Sequence, residues 1–486
     1  MASLEEIRAG RLTKLELLKK AGVNPFPIET HRKHELSTIK ADFDKLLGKG
    51  DVVLAGRIMA IRGQGAIQFV PLFDGTATFQ AVVKKDVLDE KLFSLFENAV
   101  DIGDIVEVSG ELFLTLKGEK SLLVKSWRML AKSLRPLPEK WNGLQDIEER
   151  FRRRYLDTVM SEVIRSRFVI RSKTVSVIRS VLDKAGYLEV ETPALQPLAG
   201  GTNAEPFKTH HNALDIDLFL RIAPELYLKK LLIGGFPKVY EIGRNFRNEG
   251  IDVTHNPEFT MLEFYEAFST AAKQMVFVEK MFQEIVSKVL GGDEIDTGEV
   301  KIGFSKPFER ITYKDLVTRD AGFDPITTPI DEVVKKARKL GVKVEPSDSR
   351  EKIIDNMYKK VSRPKIIQPT FITDYPVNML PLAKRSEKDP SVVDVFQLVI
   401  GGMELVKAFS ELNDPIDQRE RFTKEEANAK AGDAEAQPND EEFIEALEYG
   451  MPPAGGVGIG IDRLCMLLTN TKNIKEVILF PTMRPR

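Results

Sequence analysis

Between Val239 and Arg247, counting every second residue puts Glu241, Asn245 and Arg247 on one face of a strand. The same count from Phe259 to Tyr265 puts Phe259, Met261, Glu263 and Tyr265 together, and Gly250 to Pro257 would join the two strands as a long hairpin. Arginine, carboxylates and a phenol do not enter a core unpaired, so this face either lines a polar site or is a salt-bridged sheet surface. Farther along, Lys407, Phe409 and Glu411 share one strand parity. In GGVGIGIDRLCMLLTN a glycine-dense strand runs into an amphipathic helix with Arg463 near its start. Gly456, Gly458 and Gly460 admit a close ligand or mark tight strand packing, and they lack the G-x-G-x-x-G spacing of a dinucleotide site.

The elements that must hold these residues have their own signatures. Leu4, Ile7, Leu15 and Leu18 recur at near-helical spacing, which predicts a helix over residues 4–20. From Val52 to Leu130 the runs VVLAGRIMAIR, AIQFVPLF, ATFQAVV, DIVEVSGELFL and SLLVKSW alternate between Gly- and Asp-containing turns, which predicts a small five-stranded barrel. Pro136 and Pro138 mark a linker. Between Ile147 and Lys173 eight basic residues meet four acidic ones, as a solvated helix face or as contact with a phosphate backbone. Ile164, Phe168, Val175, Ile178 and Leu182 predict a helix that stops at Gly186, followed by LEVETPAL alternating like a strand until Pro193. An acidic, loop-like stretch covers residues 431–443.

Composition narrows the function classes. The 486 residues are 42% hydrophobic and 30% charged, those of a folded multi-domain chain for which length alone would allow about three domains. The 71 Lys and Arg balance 73 Asp and Glu, so there is no global basic field and any RNA contact must be local. Cys465 is the only cysteine, which excludes an intramolecular disulfide and a Cys-rich zinc site, and there are five histidines. With no membrane span and no signal peptide evident, a cytoplasmic location is expected.

Taken together, these segments resemble the bacterial-type class II (subclass IIb) lysyl-tRNA synthetases over nearly the whole chain. LEVETPAL resembles motif 1 of that family, FRNEGIDVTHNPEFTMLEFY motif 2 and GVGIGIDRL motif 3; the string from Thr202 to Gly235 and FSELNDP resemble the lysine enzymes rather than the aspartate and asparagine ones. The resemblance implies an α+β chain. An N-terminal helix and OB-fold barrel for the anticodon would occupy residues 1–140, and a class II catalytic domain, an antiparallel sheet flanked by helices, residues 141–486, with 312–364 an insertion. It also implies a homodimer built through motif 1, tRNA(Lys), lysine and ATP as substrates, and Mg2+.

For ATP the resemblance implies a bent pose, with adenine between Phe259 and Arg463, Glu249 at the adenine amino group, His255 at the distal phosphates and Asn256 nearby. Arg247 would hold the α-phosphate and the substrate carboxylate as the catalytic residue. For lysine it implies Gly201, Arg247, Lys407 and Phe409 in the pocket, Glu225 and Glu263 at the α-ammonium, and Glu411 with Tyr265 at the ε-ammonium. Arg62, Phe69 and Gln80 match the anticodon positions, where Phe69 either stacks on a base or packs in the barrel core. Glu404 would bind metal, with Glu411 a second candidate. Two departures stand out: Gln397 occupies a metal position usually held by Glu, and Lys407 a position usually held by Asn beside the substrate carboxylate. Rival readings are a ligase that attaches a lysine derivative to a translation factor, which lacks the anticodon barrel, and a non-catalytic RNA-binding paralogue, against which Arg247, Glu249, Phe259 and Arg463 speak.

Overall fold

The computed structural model describes residues 3–485 except 64, 139–143, 346–347 and 431–438. The expected domain border at residue 140 and most of the acidic stretch 431–443 lie outside the described residues. The chain forms two compact units, Met1–Ser161 and Glu162–Arg486.

In the first unit, α1 (Leu4–Lys20) starts at a capping box in which Glu6 accepts from the Ser3 amide at 2.6 Å and Ser3 caps the Glu6 amide. Strands β1 (Asp51–Ile58), β2 (Ile67–Phe73), β3 (Thr78–Lys84), β4 (Ile105–Leu114) and β5 (Lys120–Ala131) close into a barrel in the order β1-β2-β3-β5-β4. Alternation on β2 sends Val70 and Leu72 inward and leaves Phe69, Pro71 and Phe73 half-buried outside. Closure bends the β4–β5 pair where the register slips beside Gly110. A Cβ there would sit 1.8 Å from the Leu123 carbonyl oxygen, so only glycine fits. Leu54, Ile58, Phe79, Val106 and Trp127 fill the interior.

The first half of the basic run falls on two short helices, Ile147–Arg152 and Arg154–Met160, and pairs locally, while Arg167 and Arg171 on the following helix pair with Glu476 and Asp462. Arg150 and Arg154 meet Asp157 at 3.3 and 2.9 Å, Arg152 meets Glu148 at 2.6 Å and Arg153 meets Glu149 at 2.9 Å. For this first half the contacts agree with the self-paired helix face.

The second unit is built on eight strands: β6 (Leu188–Glu189), β7 (Lys238–Phe246), β8 (Glu258–Ala267), β9 (Glu309–Thr312), β10 (Thr370–Pro376), β11 (Val392–Ile400), β12 (Met403–Ser410) and β13 (Ala454–Gly460). Their order is β9-β10-β11-β12-β13-β8-β7-β6, antiparallel except for the parallel pair at each edge. Helices α2 (Glu162–Lys184), α4 (Ala271–Leu290) and α5 (Ile461–Leu468) cover one face, burying Ile178, Leu182, Val278, Phe282 and Leu464 against Leu262, Phe264, Val406 and Val457. The other face carries α3 (Glu225–Ile233) and the polar residues described below. Gly186, at φ +80°, ends α2 with the Tyr187 amide donating back to Leu182 O.

LEVETPAL departs from its expected strand. Only Leu188 and Glu189 pair with β7; Thr192 turns its amide and hydroxyl to Glu241, at 3.2 and 2.7 Å, which lifts the chain off the sheet. Between the parallel neighbours β9 and β10 run helices Tyr313–Ala321, Ile330–Lys339 and Arg350–Met357, the crossover that parallel pairing demands. They pack Tyr313, Leu316, Ile353 and Tyr358 against Tyr375.

Candidate active site

Strand register brings the separated polar residues into rows on one sheet face. Glu241 on β7 pairs with Glu263 on β8, which pairs with Gly458 on β13, Lys407 on β12 and Gln397 on β11. The adjacent row runs Tyr265, Gly456, Phe409. Glu411 follows the end of β12 and is held there by its amide, which donates to Ala454 O at 2.8 Å.

The glycine row forms the floor between them. A Cβ on Gly456 would lie 1.9 Å from Glu411 Oε1 and 2.4 Å from the Tyr265 ring, and one on Gly458 would lie 3.3 Å from Met261 Cε. These glycines therefore serve close approach of side chains to backbone rather than strand packing alone. Gly201, at φ +96°, lies beneath the start of α3, where a Cβ would meet Glu225 Cβ at 3.1 Å.

Above this floor sit three buried carboxylates. Burial and then the charge of Glu225 push Glu263 up to about 8, against the Tyr265 hydroxyl, which donates to it at 3.1 Å, and the charge of Arg247. Glu411 is also pushed up, by burial first, against the charge of Lys229. Lys229 lies 2.7 Å from Glu225 Oε1 and 2.5 Å from Glu411 Oε2. The second contact is an ion pair without the direction of a hydrogen bond, since both Glu411 oxygens lack a hydrogen-bond donor. Glu241 is different: Arg221 and Thr192 occupy it, and Arg221 in turn passes beneath Gly243, where a Cβ would come within 2.0 Å of its Nη2. Glu241 thus fixes the end of the row.

The rest of the set surrounds the far end of β8. The Arg247 guanidinium stacks 5.0 Å from the Phe259 ring centre, with its buried Nε unpartnered. Arg463 donates to Glu404 O at 3.3 Å and contacts His255 Nε2 at 3.0 Å, while His255 Nδ1 faces Asp252 at 2.8 Å. Partial burial pushes Asp252 up, but the Thr254 amide and the His255 ring outweigh it and hold the carboxyl at about 2. Asn256 donates to Glu258 O at 2.6 Å and leaves its buried Oδ1 open. Glu249 is exposed on the hairpin loop.

Two metal expectations meet the geometry. Gln397 accepts from the Tyr375 hydroxyl at 2.6 Å, and Glu411 faces Lys229 at the opposite end of β12 from Glu404, on the order of 20 Å along the strand. Glu411 is therefore removed from any metal set with Glu404. Among the described residues no group of three His, Cys, Asp or Glu is arranged for a metal. This donor set fits a Mg2+ held by Glu404 and nucleotide phosphates, not a protein cage.

Several residues of the site escaped the sequence reading. The i,i+4 spacing of Lys229 to Glu225 allows a pair along the helix, but Lys230 beside it leaves the sequence without a sign of which lysine is buried. Asp462 had no such signal: it accepts from Arg171 at 2.6 Å and from the Thr260 amide at 2.7 Å, anchoring the first turn of α5 and so the base of Arg463.

In the barrel unit, Phe69 lies outside the core cluster on the outer face of β2, where it does not pack in the barrel core. Arg62 and Phe69 exchange backbone bonds at 3.0 and 2.7 Å, and Gln80, paired across β3 with Pro71, donates to Ser121 Oγ at 2.9 Å. All three share one exterior patch.

An eight-stranded, mainly antiparallel sheet with buried carboxylates on its central strands and Arg247, His255 and Arg463 at their ends, on a chain that also carries a five-stranded barrel, is the frame of a nucleotide-using enzyme with a nucleic-acid module. The class II tRNA synthetases (D, K and N) match residues 146–484, and the OB-fold nucleic acid binding domain matches residues 52–130. The chain belongs to that class II synthetase family. It is 49% identical to the lysine–tRNA ligase of Carboxydothermus hydrogenoformans over 99% of both chains. It is 47% identical to that of Moorella thermoacetica over 99% of this chain and 98% of the other, and 46% identical to that of Aquifex aeolicus over 93% and 76%.

Proposed function

We propose that the chain is an ATP-dependent lysine–tRNA ligase that converts lysine and ATP to lysyl-adenylate and pyrophosphate, then passes the lysyl group to the 3′-terminal adenosine of tRNA(Lys). The observation that carries this reading is the convergence of Glu225, Glu263 and Glu411 with Tyr265 over the Gly456 floor. A dication with one carboxylate matches that anionic, enclosed set. Glu225 and Glu263 take the α-ammonium, Glu411 and Tyr265 the ε-ammonium, and Gly201 and Phe409 shape the walls.

The lysine carboxylate is already a nucleophile at neutral pH. One of its oxygens attacks the α-phosphorus in line, the bond to the pyrophosphate oxygen breaks, and no side chain need move a proton. Arg247 holds the carboxylate and the α-phosphate together, its fork neutralising charge that grows on the phosphoryl oxygens. Phe259 and Arg463 sandwich adenine, Glu249 accepts from its amino group, and His255 and Asn256 serve the distal phosphates. Mg2+, bound with ATP at Glu404, would spread the charge of the phosphates.

In the barrel, Phe69 stacks on an anticodon base while Arg62 and Gln80 read base edges. Phe69→Ala should cost about 1 to 3 kcal/mol in tRNA recognition, measured as KM for tRNA(Lys). Exchange without tRNA should be unchanged; its collapse in a folded variant would overturn the assignment. Exposed Val163, Val169 and Leu188, on α2 and β6, support a homodimer through this region. Among the described residues no helix is long and apolar enough to cross a membrane, and the single cysteine suits the cytoplasm.

Amino-acid-dependent pyrophosphate exchange across the twenty amino acids tests the reading: lysine alone is expected to support it, and exchange with another amino acid but not lysine would reject it. Gly456→Ala drives a methyl into Glu411 and Tyr265, so it should raise the lysine KM by about 1 to 3 kcal/mol, roughly 5- to 150-fold, with the ATP KM unmoved. A lysine KM within twofold or so of the parent would show that the floor yields.

A further inference from the structure

Lys229 takes no part in the reaction as derived, yet it is fully buried at the centre of the site. Its Nζ stands 2.7 Å from Glu225 Oε1 and 2.5 Å from Glu411 Oε2, and 5.7 Å from the Phe409 ring centre. One ammonium thus links the carboxylate assigned to the α-ammonium with the carboxylate assigned to the ε-ammonium. A buried cation is costly to desolvate and adds little net stability over an apolar side chain of similar size. Its presence calls for another account.

We propose that Lys229 is a positioning residue that sets the specificity of the amino-acid pocket by fixing the separation of the Glu225 and Glu411 carboxylates; the proposal rests on lysine being the substrate. Glu225 and Lys229 lie one turn apart on α3, so the tether between them is rigid. On the other side, Lys229 takes Glu411 Oε2 and leaves Oε1 turned to the Gly456 floor. That leaves one defined accepting atom for a substrate ammonium.

Charge supports the same role. Three carboxyl groups, Glu225, Glu263 and Glu411, stand against the one ammonium of Lys229, so carboxyl oxygens remain for both substrate ammonium groups beside the tether. Without Lys229 nothing would hold the Glu225 and Glu411 carboxyl groups toward one another, and like charges would drive them apart. Carboxyl groups free to shift would then meet ammonium groups at more than one spacing. Ornithine has the same charges as lysine and one methylene fewer. Only a fixed carboxylate spacing rejects it.

The experiment compares the full-length parent, Lys229→Met and Lys229→Arg in pyrophosphate exchange with lysine and with ornithine, with thermal melts to establish folding. For Lys229→Met the lysine KM should rise at least about thirtyfold, with the loss in kcat much smaller. The preference for lysine over ornithine should shrink at least about tenfold, the scale on which a pocket reads one methylene. Lys229→Arg, which keeps the charge, should recover part of the KM but not the preference. Parent-like KM and preference in Lys229→Met, or a loss confined to kcat, would overturn the proposal. If Lys229→Met does not fold, Lys229→Arg decides: a folded variant with the parent's preference overturns it. Failure of the parent to activate lysine would instead reject the functional reading, and this proposal with it.

Discussion

Glu411→Gln is expected to raise the lysine KM by about 2 to 4 kcal/mol, roughly 30- to 1000-fold, while the KM for ATP stays near its parent value. Glu411 is 1% exposed, and its two oxygens have no hydrogen-bond donor, only the nearby charge of Lys229. An ammonium bound at Oε1 would therefore gain an acceptor already desolvated and already fixed, and would itself favour the ionised carboxyl, so little of the electrostatic gain is lost to reorganisation. The amide substitution removes the charge and points N–H groups at either Lys229 or the substrate ammonium, both of which are donors. ATP is assigned to Phe259, Arg463 and the hairpin loop, away from this end of β12. Lysine and ATP titrations of pyrophosphate exchange separate the two effects, and an unchanged lysine dependence would remove Glu411 from the pocket.

The same burial makes lysine binding pH-dependent. With Glu263 pushed up to about 8, the substrate-free carboxyl keeps its proton through neutral pH, whereas an adjacent ammonium favours the ionised form. Lysine binding then expels a proton, and the lysine KM should fall as pH rises toward 8, by at most about tenfold per unit for one group. For folding the sign is opposite. The folded value lies above the ordinary 4.5, so the stability contributed by the protonated carboxyl is complete below 4.5 and is lost as pH rises through about 8. A flat lysine KM from pH 6 to 8.5 would show that Glu263 is ionised before lysine arrives.

Much of this architecture was legible because it is local. The capped helix at Leu4–Lys20, the β7–β8 hairpin and the strand-to-helix step at Gly460 each follow from a period readable within about twenty residues. Register then carried the parity of Glu263 and Tyr265 into a shared face with Lys407 and Phe409. What the sequence hid depends on partners far away in it. LEVETPAL has a strand's alternation, but Thr192 is drawn to Glu241, 49 positions on. Lys229 meets Glu411 across the fold, and nothing in ELYLKKLL indicates that its first lysine rather than its second is buried: Lys230 points outward to Glu442. The glycines of β13 were ambiguous for the same reason, since their purpose lies in Glu411 and Tyr265, which arrive from other strands.

Lys407→Asn is expected to slow adenylate formation roughly 100-fold, the scale on which removing one fixed charge-stabilising donor acts. Lys407 is half-buried in the row between Gly458 and Gln397, and among the described residues no carboxylate forms an ion pair with it. Burial pushes its ammonium below the ordinary range, opposed by the more distant charge of Glu404. A cation in that state is poised for an anion the protein does not supply, which the carboxylate or α-phosphate of the reactants would provide, while the ε-ammonium sits at the Gly456 row and the α-ammonium across Gly458 at Glu263. Directly across the strand pair, Gln397 is neutral and takes the Tyr375 hydroxyl. Q397E alone would place a carboxylate beside Lys407, draw the ammonium into a cross-strand pair and lower activity too. Together, K407N and Q397E exchange a fixed cation for an anion able to share Mg2+ with Glu404, so the double variant should recover much of the rate while needing more Mg2+ to reach it. Such recovery is the non-additivity expected of two residues that share one task. Rates of lysine-dependent pyrophosphate exchange against Mg2+ concentration for the parent, both single variants and the double variant settle the matter. A fully active K407N, or losses that simply add, would place Lys407 outside the reaction.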